Sequence, residues 1–165
     1  MVVVVNQFGG VAMEVERISR VLGVVYRRSL GYMNAFSQEL GLSALECIFL
    51  VSILANEGIN QEQLSTLHAI DKSATAKAMK SLEAKGFILR EKALEDKRSK
   101  RVFSTQKGQE CREFIHSRLQ TYIDFLSGNV SSNDVDATFA TLEVMANRLN
   151  DWPVSSTSHV EIKGK

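Results

Sequence analysis

The hydrophobic positions of the first forty residues recur with the spacing of an α-helix. They follow each other at steps of three and four, with an interruption at Ser29, and Gly41 comes directly after the last one. Residues at this spacing share one helix face, so the pattern predicts a long amphipathic helix that ends at the glycine. The apolar positions are Val11, Val15, Ile18, Leu22, Val25, Met33, Phe36 and Leu40.

Residues 43–86 contain three capping patterns, each of which predicts the start of a helix. A Ser, Asn or Asp side chain at such a position accepts a hydrogen bond from an amide in the first turn. The pairs Ser43/Glu46 and Asn60/Gln63 and the single Asp71 begin the three helices, and Gly58, the turn His68–Ile70 and Gly86 end them. In the short middle helix, Leu64 and Leu67 are predicted to face the core.

The pattern then becomes strand-like before it returns to helical spacing. Residues 87–91 and 101–105 are predicted as two strands joined by a charged loop over 92–100. Thr105 is predicted to cap a fifth helix, and residues 128–132 to separate it from a sixth. Their inward positions are Cys111, Phe114, Ile115, Leu119, Tyr122 and Leu126, then Val135, Phe139, Leu142, Met145, Leu149 and Trp152.

The predicted order α-α-α-α-β-β-α-α is that of a mainly α protein with a two-stranded β wing, a winged helix-turn-helix between long helices. We divide it into an N-terminal dimerisation helix (1–42), a DNA-binding domain (43–108), C-terminal dimerisation helices (109–152) and a tail (153–165). The outer helices are too long and apolar to cover only a small core, so they are predicted to pack against a second copy. A two-fold homodimer suits palindromic DNA.

The composition agrees with an intracellular helical protein. The chain has 165 residues, 44% of them hydrophobic, and a single proline, Pro153. Cys47 and Cys111 lie in apolar helical patterns without a disulfide framework, which fits a reducing cytoplasm. The run 2–5 lacks the features of a signal peptide, and no stretch has the roughly 18 apolar residues that a membrane span needs. We therefore expect a soluble cytoplasmic protein.

Positive charge is concentrated in one part of the chain, although the formal net charge is only +1. Between Asp71 and Lys107 there are eleven of the 20 Lys and Arg residues and five acidic residues, so this window carries a formal charge of +6. A basic helix followed by a basic hairpin is typical of proteins that bind the phosphates and grooves of duplex DNA.

The fourth helix has two chemically different faces. Its packing face is predicted to comprise Thr75, Ala78, Met79 and Leu82, and its opposite face Ser73, Ala76, Lys77, Lys80 and Ala84. Small residues alternating with lysines allow close approach to the major groove, where ammonium groups reach phosphates or guanine edges. The alternative is a solvated helix face that happens to be basic.

The hairpin loop supplies a second set of candidate DNA contacts. Its basic residues Lys92, Lys97, Arg98, Lys100 and Arg101 alternate with the acidic residues Glu91, Glu95 and Asp96. An arginine side chain suits a narrow minor groove, and Asp96 lies close enough in sequence to orient Arg98. The alternative is a loop of mixed charge that serves only solubility.

The segment Asp96–Gly108 resembles the wing signature of the MarR family of transcriptional regulators. It has an Asp-x-Arg pair followed by a valine strand, a threonine cap and a glycine, and the segments 71–75 and 82–88 resemble the two ends of that family's recognition helix. The resemblance covers about Ser43 to Gly108. It implies a homodimeric, ligand-responsive DNA-binding protein, usually a repressor, with Arg98 in the minor groove beside Asp96, and with Ser73, Lys77 and Lys80 in the major groove.

The chain departs from the family pattern at three positions, and its wing lacks the proline that often precedes the signature. Lys77 stands where arginine is frequent, which argues against bidentate recognition of guanine there. Ser104 replaces a usual leucine and Thr75 a usual apolar residue, so looser packing is expected in the wing and the helix.

Many relatives sense small aromatic acids, and others sense oxidants through cysteine. The residues of this chain that are candidates for such an effector pocket are Tyr26, Tyr32, Met33, Phe36 and Cys47. In such positions each of these residues is more often plain core than part of a pocket. Cys47 has no adjacent base in sequence, and Cys111 is similar, so both are predicted to be inert thiols.

Enzyme and cofactor functions find no support in the sequence. It contains no Gly-rich phosphate loop, nucleophile elbow or His-Glu-x-x-His motif. The three histidines lack metal-ligand spacing, and His68 is assigned a structural role in its turn. The rival hypothesis is a winged helix that binds proteins instead of DNA, which predicts an apolar or acidic surface.

Overall fold

The computed structural model describes the chain over residues 10–92 and 100–150, as seven α-helices and two strands. The predicted tail and Trp152 lie outside these residues, as does the loop 93–99. The elements are α1 (Gly10–Ser37), a 3-10 turn (Gln38–Leu40), α2 (Ala44–Ala55), α3 (Gln61–Leu67), α4 (Lys72–Ala84), β1 (Ile88–Lys92), β2 (Lys100–Ser104), α5 (Gln106–Glu110), α6 (Arg112–Ser127) and α7 (Ser132–Asn150).

The predicted helix ends of the first half of the chain are confirmed. Gly41 ends the long N-terminal helical segment with φ of 69°, a left-handed conformation that favours glycine. Ser43 and Asn60 each form a complete capping box, with Glu46 and Gln63 respectively. The side chain of Asp71 accepts a hydrogen bond from the amide of Ala74 at 2.8 Å, which caps α4. These local interactions define where α2, α3 and α4 start.

Three details of the predicted elements are wrong. Leu67 does not face the core, because 61% of its surface is exposed at the end of the short α3. The strands extend one residue further into the loop than predicted, and Lys92 pairs with Lys100. The predicted fifth helix is two helices, since the chain turns at Cys111 between α5 and α6.

The wing is an antiparallel sheet that a third segment extends. β1 and β2 pair in a register that places Arg90 opposite Val102. The segment 58–60 lies along the other edge of β2: the amide of Gly58 donates to the carbonyl of Val102 at 2.8 Å, and the amide of Val102 donates to the carbonyl of Ile59 at 3.0 Å. The wing is thereby joined to the loop between α2 and α3.

The core lies around α2, in the first of the two compact units into which the chain divides after Leu119. α2 is apolar on almost all sides, and α1, α4 and β2 pack against it. Such a helix is stable only when surrounded by other elements. The largest fully buried side chains of the core are Phe49, Leu50, Ile53, Leu64, Met79, Leu82, Ile88 and Val102.

The two polar substitutions expected to loosen the packing do not leave unsatisfied groups. Thr75 is fully buried, and its hydroxyl donates to the carbonyl of Asp71 at 2.9 Å, one turn earlier in the chain. The amide of Ser104 donates to a carboxylate oxygen of Glu57 at 2.9 Å, and its hydroxyl donates to the other oxygen. Each of these polar groups therefore has a partner, which removes the cost of an unsatisfied group.

Each unit leaves apolar side chains of its long helices exposed. In α1 they form a broad face, and in the second unit they include residues of α7 that were predicted to face inward. The exposed apolar residues of α1 are Val15, Ile18, Val21, Leu22, Val24, Val25 and Tyr26, and those of α7 are Phe139, Val144, Met145 and Leu149. Phe125, near the end of α6, is 86% exposed.

In the described part of the chain, no single helix is long and apolar enough to cross a bilayer. The segments Val15–Leu40 and Ala44–Ala55 reach that length and composition only when taken together across a bend of 80°.

Gly108, the last residue of the wing signature, is required by close packing of α5 against the residue that precedes β1. A Cβ added there would lie 2.4 Å from the carbonyl oxygen of Phe87, a backbone atom that also accepts from the amide of Thr105. We expect Gly108→Ala to lower the free energy of unfolding by about 1–3 kcal/mol. Denaturant unfolding followed by circular dichroism measures this change.

Gly31→Ala is the matched control for that substitution. A Cβ at this position in α1 meets no atom within 4 Å. Since alanine also favours a helix interior, the control should raise the free energy of unfolding by about 0.4–1 kcal/mol. Equal stability of the two variants would contradict the packing argument.

Candidate nucleic-acid interface

α3, the four connecting residues 68–71 and α4 form a helix-turn-helix. Hydrogen bonds to α3 and to α2 fix the conformation of the turn. Ala69 has φ of 50°, and the hydroxyl of Ser65 donates to the carbonyl of Ile70 at 2.6 Å. The imidazole Nε2 of His68 lies 2.8 Å from the hydroxyl oxygen of Ser52 in α2. Burial lowers the pKa of His68 below its usual value, so a neutral ring connects the turn to the core.

The two faces of α4 are as the helical wheel predicts. Thr75, Ala78, Met79 and Leu82 are buried. On the opposite side Ser73, Lys77 and Lys80 are exposed and Ala76 is half-buried. Among the described residues neither of these two lysines forms a salt bridge with a carboxylate. The exposed side of α4 thus presents two ammonium groups beside small side chains.

The base of the wing carries the second group of exposed cations. Lys92, Lys100 and Arg101 are exposed, and Arg101 stands opposite Glu91 in the sheet register. Asp96, Lys97 and Arg98, which the sequence places at the tip of the wing, lie outside the described residues. The described part of the wing therefore fixes the two ends of the loop, at Lys92 and Lys100.

Several basic residues of the positively charged window bind the protein itself. The Nζ of Lys85 lies 2.9 Å from each carboxylate oxygen of Glu46, and the Nε of Arg90 lies 3.2 Å from a carboxylate oxygen of Glu83. The Nζ of Lys107 donates to the carbonyl of Lys85 at 2.8 Å. The formal charge of +6 therefore overstates the charge available to a ligand. The partners of Lys85 are about forty residues distant in sequence, and no local pattern reveals them.

The five candidate effector residues occupy different environments. Phe36 and Cys47 are buried in the core, and Tyr32 and Met33 pack against that core while half-buried. The rings of Tyr32 and Phe36 are 5.5 Å apart between centroids. Tyr26, by contrast, is 66% exposed on α1. Four of the five residues thus belong to, or pack against, the core of the first unit.

The thiols of both cysteines resist ionisation. Burial, and secondarily the neighbouring Cys111 thiol, raises the pKa of Cys47 to about 11. Burial also raises the pKa of Cys111, an effect that Lys107 opposes, and its Sγ donates to the carbonyl of Lys107 at 3.3 Å. At neutral pH both thiols are protonated and weakly nucleophilic.

Metal binding has no candidate within residues 10–92 and 100–150. No group of three His, Cys, Asp or Glu side chains in that part of the chain is arranged to hold an ion.

The capped α3–turn–α4 pair and the adjoining sheet define a winged helix-turn-helix protein. Residues 42–100 match the model of the MarR family. In Bacillus subtilis strain 168, the uncharacterized HTH-type transcriptional regulator YybA is 28% identical over 136 residues, which cover 82% of this chain and 91% of YybA.

Solved structures agree with this match. A MarR transcriptional regulator from Methanosarcina mazei Go1 is 28% identical with a TM-score of 0.74, over 83% of this chain and 99% of that one. A MarR family protein from Listeria monocytogenes, crystallised with a 26-mer DNA, is 28% identical with a TM-score of 0.76, over 85% and 94% of the two chains. These matches are to winged-helix transcriptional regulators of the MarR type, with which this chain shares its fold.

The pKa of Cys47 predicts its reactivity. In a Cys111→Ser variant, which leaves Cys47 as the single thiol, we expect alkylation by iodoacetamide at pH 8 to be about two orders of magnitude slower than alkylation of a free cysteine. The rate should keep rising with pH up to about 11 and should reach the free-cysteine value after denaturation. Rapid alkylation of the folded variant would contradict the burial argument.

Proposed function

We propose that this chain is a cytoplasmic homodimeric repressor that binds a palindromic operator in double-stranded DNA. α4 enters the major groove, and the wing enters the adjacent minor groove. A small aromatic molecule or an oxidant then releases the dimer from the operator. The observation that carries the proposal is the exposed face of α4, where Ser73, Lys77 and Lys80 stand opposite a fully packed face.

The geometry of α4 suits groove binding for a physical reason. Its buried face attaches it to the core, so the helix projects its other face without bending or unfolding. Ser73 and the half-buried Ala76 are small enough for close approach to base edges. Lys77 and Lys80 supply charges that are not neutralised by an acidic side chain among the described residues. Such cations displace counterions from DNA, which is the main source of its affinity for proteins.

The wing supplies the second set of proposed DNA contacts. Lys100 and Arg101, the first two residues of β2, are exposed cations. In sequence they come shortly after Lys97 and Arg98. Asp96 remains the proposed partner that orients Arg98, by analogy with the family signature. The relative crystallised with DNA supports duplex DNA as the partner.

The proposed dimer rests on the exposed apolar faces of the long helices. α1 exposes seven large apolar side chains between Val15 and Tyr26, and α7 exposes four. Exposed apolar surface of this extent on a helix is typical of a protein interface. A second copy of the chain would cover this apolar surface. The resulting two-fold dimer would also present two recognition helices to a palindromic operator.

The chemistry of the proposed effector favours a small molecule over an oxidant. An oxidant sensor requires a thiolate, whereas Cys47 and Cys111 are both held protonated by burial. A ligand that reached Phe36 or Cys47 would have to displace core packing, which would transmit its binding to the DNA-binding domain. Tyr26, Tyr32 and Met33 would then form the accessible part of the site.

A protein-interaction module without DNA binding is the second candidate. It predicts an apolar or acidic surface on the exposed face of the recognition helix. Lys77 and Lys80 stand on that face instead, so the charge favours the DNA-binding proposal.

Lys80→Ala tests the electrostatic part of the proposal. The slope of log affinity for random duplex DNA against log salt should become shallower by about 0.9 for each lost phosphate contact, hence by about twice that for a dimer. The measurement is fluorescence anisotropy over a salt series, with sedimentation to establish the oligomeric state. Arg20→Ala, which removes one positive charge from α1, should leave the slope unchanged. A dimer that does not bind DNA even at low salt would support the protein-interaction module.

Arg98→Ala tests the minor-groove contact. We expect a loss of about 1–3 kcal/mol in the free energy of operator binding, the scale of a good groove contact. Arg98→Lys keeps the charge but not the planar guanidinium, so it should recover only part of the affinity. Operator binding by Arg98→Ala at the parent affinity would show that this residue does not enter the groove.

A further inference from the structure

Lys85 joins three elements at the C-terminal end of α4. It is the residue that caps this helix, and its side chain reaches two other parts of the fold. Its Nζ lies 2.9 Å from both carboxylate oxygens of Glu46, near the start of α2, and donates to the carbonyl of Gly41 at 2.9 Å. Gly41 ends the helical segment that begins with α1. One ammonium group therefore connects the recognition helix to the end of α1.

The carboxylate that holds Lys85 is itself held in place. The side chain of Glu46 is only 6% exposed and accepts a hydrogen bond from the amide of Ser43 at 2.6 Å, as part of the capping box of α2. Burial by itself raises the pKa of Glu46, but hydrogen bonds from Lys85, Ser43 and Ser81 outweigh it and lower the pKa to about 2. The group is thus a fixed, ionised acceptor at every physiological pH.

Among the described residues, α4 also forms ion pairs through Lys72 with Glu62 and through Glu83 with Arg90, but only the pair at Lys85 has a buried carboxylate. The buried face of the helix packs through apolar groups, and such packing is not directional. The contact at Lys85 is directional, since the ammonium group meets three oxygen atoms at hydrogen-bonding distance. It therefore restricts the tilt of the helix in a way that the apolar face does not.

A small tilt at this end is amplified along α4. With a rise of about 1.5 Å per residue, Ser73 lies roughly 18 Å from Lys85 along the helix axis. A rotation of about 5° at the junction would move that residue by about 1.5 Å, a large fraction of a hydrogen-bond length. The contact that fixes the end of α4 therefore decides where its exposed side chains meet DNA.

We propose that Lys85 and Glu46 are specificity-determining residues, which fix the orientation of the recognition helix relative to α1 and so set the half-site spacing that the dimer accepts. This inference rests on the proposed function, because it requires both DNA binding and a dimer formed through α1. Neither residue contacts DNA in this account. They are positioning residues that act through α4.

The test starts from an operator that the parent protein selects from random DNA. It compares spacing profiles, which give the affinity as a function of the spacer length between the two half-sites. Affinity is measured for that operator and for versions whose central spacer is longer or shorter by one or two base pairs. In the double variant Glu46→Gln/Lys85→Met, the preference for the parental spacing over the shifted ones should fall about fivefold or more, the lower end of typical coupling between linked sites. The base preference within each half-site should remain that of the parent.

The double variant avoids a misleading loss of folding. Removing Lys85 alone would leave a buried carboxylate without its cationic partner. The double variant removes both charges, and the amide oxygen of glutamine can still accept from the amide of Ser43. Ser43→Ala is the control, because it weakens the cap of α2 but keeps the ion pair. It should lower the melting temperature without broadening the spacing profile. Lys85→Arg, which keeps the charge, should retain a narrow profile.

The outcomes separate this inference from the proposal on which it rests. The positioning role alone is overturned if the double variant keeps the parental spacing profile. It is also overturned if the profile of Ser43→Ala is as broad as that of the double variant. A parent protein that selects no palindromic DNA overturns the proposed function, and this inference with it.

Discussion

The burial of α2 is the constraint on which the rest of the fold depends. This helix has apolar side chains on nearly all sides, so it must be enclosed, and the enclosing elements include α1, α4 and β2. Because α4 contributes Met79 and Leu82 to that enclosure, its opposite face is obliged to point outward. Which face α4 turns outward is thus a consequence of covering a neighbouring helix, and the exposure of Lys77 and Lys80 follows from it.

Electrostatics acts in two ways within the same basic window. Lys77 and Lys80 remain exposed, whereas Lys85, Arg90 and Lys107 bind carboxylate or carbonyl groups of the protein. A protein-bound cation stabilises the position of an element, and an exposed one is available to phosphates. The window is therefore both the candidate DNA surface and part of the framework that holds this surface in place.

Much of the fold could be predicted because its signals are local. The capping boxes at Ser43 and Asn60 and the wheel of α4 depend on residues within one or two helical turns, and the structure confirms them. The failures share a different cause. Leu67 is exposed because α3 is too short to bury both of its leucines, and Cys111 interrupts a pattern that is continuous in sequence. The partner of Ser104, Glu57, is also distant in sequence, and the sequence pattern did not reveal this hydrogen bond.

The sequence by itself determined the order of the elements, the two faces of α4 and the family signature, since each depends on residue types at short, regular spacing. Only the tertiary structure decided which cations are free, which thiols are buried and how α4 is attached to the end of α1. These properties arise from contacts between residues far apart in the chain, such as Lys85 with Glu46. Sequence periodicity carries no record of such contacts, because they depend on how the elements pack and not on the spacing within any one of them.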